Sequence, residues 1–171
     1  CNSYRVNDRV SQYLLKNVIY NGQNYNSEDM LFRIILFKLF NKESTWELLL
    51  KNFGDITLKN FNIKKYSKVL TEAINNKISI YNDAYISCAT KAFGYNHKHD
   101  NHLALLYKMF NQDKIQDKII KCQTMEEAFN ILKSYPLIGN FMAYQLVTDI
   151  NYSNVVNWSE NEFTIAGPGS I

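Results

Sequence analysis

The 171-residue chain carries only three arginines against sixteen lysines, two prolines, six glycines and three cysteines. Each shortage excludes something. With so few Pro and Gly, no linker or low-complexity tract interrupts the chain, and no internal repeat is visible. One domain over residues 1–171 is therefore expected. A domain of this size hides roughly 70% of its unfolded surface, enough for a sizeable core. The apolar run Ile34-Ile35-Leu36-Phe37 is interrupted by Lys38, and no apolar run in the sequence is long enough to span a membrane. No signal peptide is recognisable. Cys1, Cys88 and Cys122 are odd in number, far apart and form no C-x-x-C pair, so they read as reduced thiols of a cytoplasmic protein. Strand signals are scarce as well, limited to Ile78–Tyr81.

The formal net charge of +3 permits nucleic-acid binding without arguing for it. Sixteen Lys and 22 Asn point to AT-rich coding, which makes the three arginines stand out. They are Arg5, Arg9 and Arg33. Arginine is needed where a flat, forked donor must hold a carboxylate or phosphate. Chance clustering with a surface ion pair is the plainer account of the same three residues.

The remainder is helical in pattern. Residues 2–19 place Val6, Val10, Tyr13, Leu14 and Val18 on one stripe, with Arg5 and Arg9 sharing a face. Asn21-Gly22-Gln23-Asn24 is a turn. Ser27 should cap a second helix running to about Phe40, with Glu28 and Asp29 in its first turn. That helix is apolar nearly all round, so it should be the central buried one. Arg33 lies inside it and needs a carboxylate or a substrate anion, because an unpartnered buried charge is very costly.

Ser44 and Glu47 have capping-box spacing ahead of a helix ended by Gly54. Thr57 to Lys77 reads as one or two helices with Lys59, Lys64, Lys65 and Lys68 on the outer face, more plausibly solvated than DNA-facing. Asn82 opens another helix. His97, His99 and His102 cluster in an apparent loop. Zinc is conceivable there, but no Cys joins them and the spacing fits no common site, so neither metal nor cofactor is expected. Asp100 should cap the helix Asn101–Phe110, and Lys114 to Lys121 is a short helix.

The stretch from Thr124 onward carries the most specific pattern. Thr124 and Glu127 cap a helix from Met125. Tyr135-Pro136-Leu137-Ile138-Gly139 is a tight turn, and a second helix follows from about Asn140 to Ile150. This resembles the helix-hairpin-helix of DNA glycosylases, in which an L-P-G-I-G-like turn grips a DNA phosphate. Leu137 stands where that motif has its first glycine. A carboxylate lies beyond the second helix, at Glu160 or Glu162. An ordinary helical hairpin is the bland alternative.

Four stretches together resemble one family. They are Tyr4–Leu14; Glu28-Asp29 with Phe32–Asn41; Asn82–Ile86; and Leu137–Gly139 through Asp149 to Glu160–Gly169. The family is the 5-hydroxymethyluracil DNA kinase helical domain, related to the alpha-glutamyl/putrescinyl thymine pyrophosphorylases, or amino acid:DNA transferases. The resemblance implies an all-α, glycosylase-like domain in a phage or bacterial pathway that hypermodifies thymine in DNA, with possible partner enzymes such as a kinase. The phosphate-binding signature G-x-x-x-x-G-K-[ST] is absent, so phosphorylation itself is not expected of this chain.

On this reading a base is flipped into a pocket and its pyrophosphate is displaced by an amine or amino acid. Tyr13, Tyr144, Tyr152 and Trp158 are candidate stacking walls, although core packing accounts for most aromatics. Arg5, Arg9 and Arg33 would hold phosphates. Glu162, Glu160 or Asp149 would serve as the catalytic carboxylate. Gly139 and Asn140 would face the DNA backbone, Asn161 the base edge, and Gly167 and Gly169 would permit close approach. Two alternatives stay open: a glycosylase excising a modified pyrimidine, and a non-catalytic module that binds modified DNA. The chain lacks an initiator Met and stops just after Gly167-Pro168-Gly169-Ser170, so a chain truncated at its C-terminal end is expected.

Overall fold

The structure is a computed structural model that describes residues 9–82, 91–153 and 155–159. Its elements are α1 (Arg9–Tyr13), α2 (Ser27–Phe40), α3 (Glu43–Phe53), α4 (Ile63–Asn75), α5 (Lys98–Leu106), α6 (Ile115–Lys121), α7 (Met125–Lys133) and α8 (Asn140–Tyr152). α1 and α5 each run on into a π-helical segment, Leu14–Ile19 and Tyr107–Gln112. Among the described residues there is no strand, and no helix is long and apolar enough to cross a membrane. Ile78–Tyr81, read as a possible strand, is irregular chain with Ile80 inserted into the core and Tyr81 stacked on Phe40 at its edge.

α2 is the axis of the core. Every residue from Met30 to Phe40 is buried, as its all-round apolar pattern requires. The first π-helical segment, α5, α6 and α8 all pack on it. Phe32 meets Phe61 and Phe110 at 5.0 and 5.4 Å, and Phe37 meets Trp46 at 5.8 Å, so its ring contacts reach both flanks. Offset and edge-on ring pairs of this kind add specificity beyond the area they bury.

Several helix starts differ from the sequence expectation. α2 is capped by Asn26, whose side chain accepts from the Asp29 amide at 2.7 Å; Ser27 is the first helical residue instead. Asn and Ser are comparable caps, so the pattern alone did not rank them. α3 begins at Glu43 with Lys42 before it and no side-chain cap. The Ser44–Glu47 box does not form, and Glu47 accepts the Tyr13 hydroxyl instead. His99 and His102 lie within α5, not in a loop, and Asp100 sits in its first turn rather than capping a later helix. The Thr124 cap does form: its Oγ1 accepts from the Glu127 amide at 3.2 Å and donates to the Glu127 carboxylate at 3.3 Å.

Arg33 is wholly buried, and four of its five N–H donors are engaged by protein. Nε donates to Val18 O at 3.0 Å, Nη2 to Asn17 O at 3.3 Å, and Nη1 to Ile56 O and the Asp55 carboxylate at 3.1 and 3.0 Å. Tyr25 and Trp46 cover the guanidinium with ring centroids at 4.1 and 4.9 Å. Burial pulls its pKa below the ordinary value while Tyr25 and Asp55 oppose that shift. The need for a carboxylate is met, but by Asp55. Arg33 therefore fastens the end of the first helix to the loop after α3 and is not presented to an external phosphate.

Candidate functional site

α7 and α8 form a helical hairpin that packs along its length. Tyr135 is tied down in the turn by a hydroxyl bond to Asp113 at 2.9 Å. Burial and then this carboxylate raise the phenol's pKa. Leu137 adopts φ 69°, the left-handed conformation that costs an L-residue about 1–2 kcal/mol. Gly139 precedes α8 with no side-chain cap, and Gly139, Asn140 and Phe141 are exposed near exposed Lys133 in sequence and hairpin order. A Cβ at Gly139 would meet nothing within 4 Å, so the turn is open on its outer side. First-turn amides of a helix have no intrahelical acceptor and make a natural anion site.

The other end of α8 reaches the core. Asp149 is 1% exposed, and its Oδ2 lies 3.7 Å from Nζ of Lys38 on α2, itself 3% exposed. Lys38 Nζ also donates to Asn41 Oδ1 at 3.1 Å. Asn41 ends α2 in the left-handed conformation at φ 52°, which Asn tolerates better than most residues. Its carbonyl accepts from Asn82 Nδ2 at 3.0 Å, and the Asn82 amide donates to Phe40 O at 3.2 Å. Polar contacts thus run from Asp149 through Lys38 and Asn41 to Asn82.

That chain ends at a surface cleft of about 480 Å³ lined by Arg9, Asn41, Lys42, Glu43, Ser44 and Asn82. Arg9 stands 3.5 Å from Glu43 and is largely exposed. The described parts of all four stretches singled out in the sequence therefore converge: Arg9 from the first, Lys38 and Asn41 from the second, Asn82 from the third and Asp149 from the fourth. Lys38, Asn41 and Asn82 were missed as site residues. In the sequence Lys38 reads as an interruption of an apolar run and as a member of the second stretch, although a lysine inside a buried helix demands a partner as much as Arg33 does.

The remaining expectations fall apart from this centre. Tyr13 stacks on Phe37 at 5.8 Å, and burial followed by its bond to Glu47 raises its pKa. Trp158 donates through Nε1 to Cys122 O at 3.0 Å and is clamped by Asn151, so it closes the core rather than lining the cleft. Tyr152 lends its carbonyl to the Tyr20 hydroxyl. His99 is held by Thr71 at 2.9 Å and His102 by Tyr81 at 2.6 Å. Among the described residues no group of three or more His, Cys, Asp or Glu is placed to hold a metal ion. Arg5, Glu160, Glu162, Asn161, Gly167 and Gly169 lie outside the described residues, as does Cys88.

A family model described as 5-hmdU DNA kinase, helical domain, matches residues 1–171. The chain belongs to that family. Membership in the 5-hmdU DNA kinase helical-domain family connects it to 5-hydroxymethyluracil DNA modification and to DNA with a modified base. No curated protein and no solved structure matches the chain.

Proposed function

We propose that this domain grips DNA through the α7–α8 turn and acts on an extruded 5-substituted uracil at the Arg9–Asn41–Asn82 cleft. The carrying observation is the convergence of the four stretches on the Lys38–Asp149 pair and that cleft. α8 joins the two parts. Nine residues separate Asn140 from Asp149, so the turn and the buried pair lie roughly 13 Å apart along the helix axis.

In the proposed reaction the bond between the 5-methylene carbon and its pyrophosphate oxygen breaks. A bond to the nitrogen of an amine or amino acid forms, pyrophosphate leaves, and the amine gives a proton to a carboxylate. Glu160 and Glu162 are the candidates for that carboxylate, because Asp149 is buried against Lys38 and does not line the cleft. The cations beside the cleft would offset charge on the leaving group. No G-x-x-x-x-G-K-[ST] sequence is present in the 171 residues, so the reading assigns substitution, not phosphorylation, to them.

The test is incubation with a duplex bearing pyrophosphorylated 5-hydroxymethyluracil and a mixture of amines and amino acids, followed by nucleoside mass analysis. A heavier nucleoside with released pyrophosphate is expected. An abasic site would replace this reading with base excision. Tight binding with no product would leave a binding module.

A further inference from the structure

Deepening that reading, we infer that the cleft beside α3 is a phosphoryl-binding site whose central donor is the Asn41 carboxamide, oriented by Lys38. A lysine ammonium can only donate, so the 3.1 Å contact fixes Oδ1 of Asn41 toward Lys38. The NH2 group must then face the opposite way. Among the described residues nothing accepts from it, although Asn41 is only 8% exposed and lines the cleft. A nine-tenths buried side chain thus offers the cleft a donor and no acceptor, which selects a ligand rich in acceptor oxygens.

The surroundings favour an anionic acceptor. Lys42 and Arg9 border the same cleft, with Arg9 partly offset by Glu43 at 3.5 Å. The eleven-residue α3 starts there with no side-chain cap, so its first amides add to the attraction for negative charge. Asp149 holds Lys38, and Lys38 holds Asn41. Lys38 and Asp149 are therefore positioning residues that need not touch the ligand. The phosphoryl group has two sources, a DNA backbone phosphate or the pyrophosphate on a modified base.

The full chain is titrated with inorganic pyrophosphate while the Asn41 side-chain NH2 resonances are followed by NMR. Saturable shifts are expected there. Asn41→Asp keeps the acceptor for Lys38 and tolerates the left-handed backbone but replaces the donor with an acceptor. It should weaken binding at least tenfold at an unchanged melting temperature. Asn41→Gly also suits φ 52° and supplies the same comparison if the Asp variant does not fold. Unmodified duplex that displaces pyrophosphate assigns the site to the backbone, and failure to displace assigns it to the base; both keep the phosphoryl site. Unmoved Asn41 resonances, or unchanged affinity in the folded variants, overturn the inference. An active enzyme with unmoved resonances sinks this inference and spares the proposed function. Pyrophosphate held at Asn41 with no product from modified DNA does the reverse.

Discussion

Lys38 Nζ on the central helix faces Asp149 Oδ2 on the second hairpin helix at 3.7 Å, with both side chains almost completely buried. Removing one member strands the other charge in the core, at about 3–5 kcal/mol. Lys38→Met and Asp149→Leu should each destabilise by that amount in urea unfolding. The double variant should recover most of it, because a well-packed apolar pair replaces a buried ion pair at little cost. Activity on modified DNA should stay lost in the double variant. Recovery of activity along with stability would reduce the pair to a packing device.

Arg33 serves four acceptors with one planar fork, which an ammonium cannot reproduce. Arg33→Lys should cost about 3 kcal/mol. Asp55 is a third exposed, so water compensates its loss, and Asp55→Asn should cost only about 1 kcal/mol. Equal losses in chemical denaturation would mean that the carboxylate, not the carbonyls, dominates.

The requirement for a partner at Arg33 was legible in the sequence because the pattern around it is apolar on every side. The identity of that partner was not. Asp55 lies 22 positions away, beyond a helix and a glycine turn, and only packing brings it back. The same holds for the site. Arg9 and Asp149 were visible as charges in recognisable stretches, and the Thr124–Glu127 cap followed from spacing alone. Lys38 and Asn41 were harder to read, since Lys38 lies in the last turn of the helix, where a long side chain can also reach solvent. In the sequence the three histidines read as a loop ahead of a helix capped by Asp100. Burial of His99 and His102 against Thr71 and Tyr81 carried the helix back to Lys98.

His102 should make the fold acid-sensitive. Burial first, then the charges of Lys98 and His99, push its pKa from 6.5 down to about 3. The folded state keeps it neutral while the unfolded chain takes up a proton near 6.5. Its contribution is therefore fully present above pH 6.5 and is lost as pH falls toward 3, at up to about 1.4 kcal/mol per pH unit. Between pH 7.5 and 5.0 the native chain should lose about 2 kcal/mol more than His102→Asn. Parallel losses in the two proteins would show that other groups govern the acid limb.

Leu137→Gly tests the hairpin. Glycine relieves the left-handed strain of about 1–2 kcal/mol, while the half-buried leucine side chain is forfeited, so stability should change by no more than about 1 kcal/mol. Affinity for duplex DNA at fixed salt should rise, because the backbone can come closer to a phosphate. An unchanged or weaker affinity would place the DNA contact elsewhere.

The guanidinium that gathers the carbonyls of Asn17 and Val18 also constrains how this gene can drift. In a chain where lysine outnumbers arginine sixteen to three, an arginine-to-lysine step follows the trend of the composition. At an exposed position such as Arg9 that step preserves the charge and costs little. At Arg33 it leaves buried carbonyls unserved and loosens the end of the first helix, whose other end carries Arg9 to the cleft. Such an exchange at the centre of the fold would thus be felt at the cleft as a shifted Arg9, although position 33 never touches a ligand.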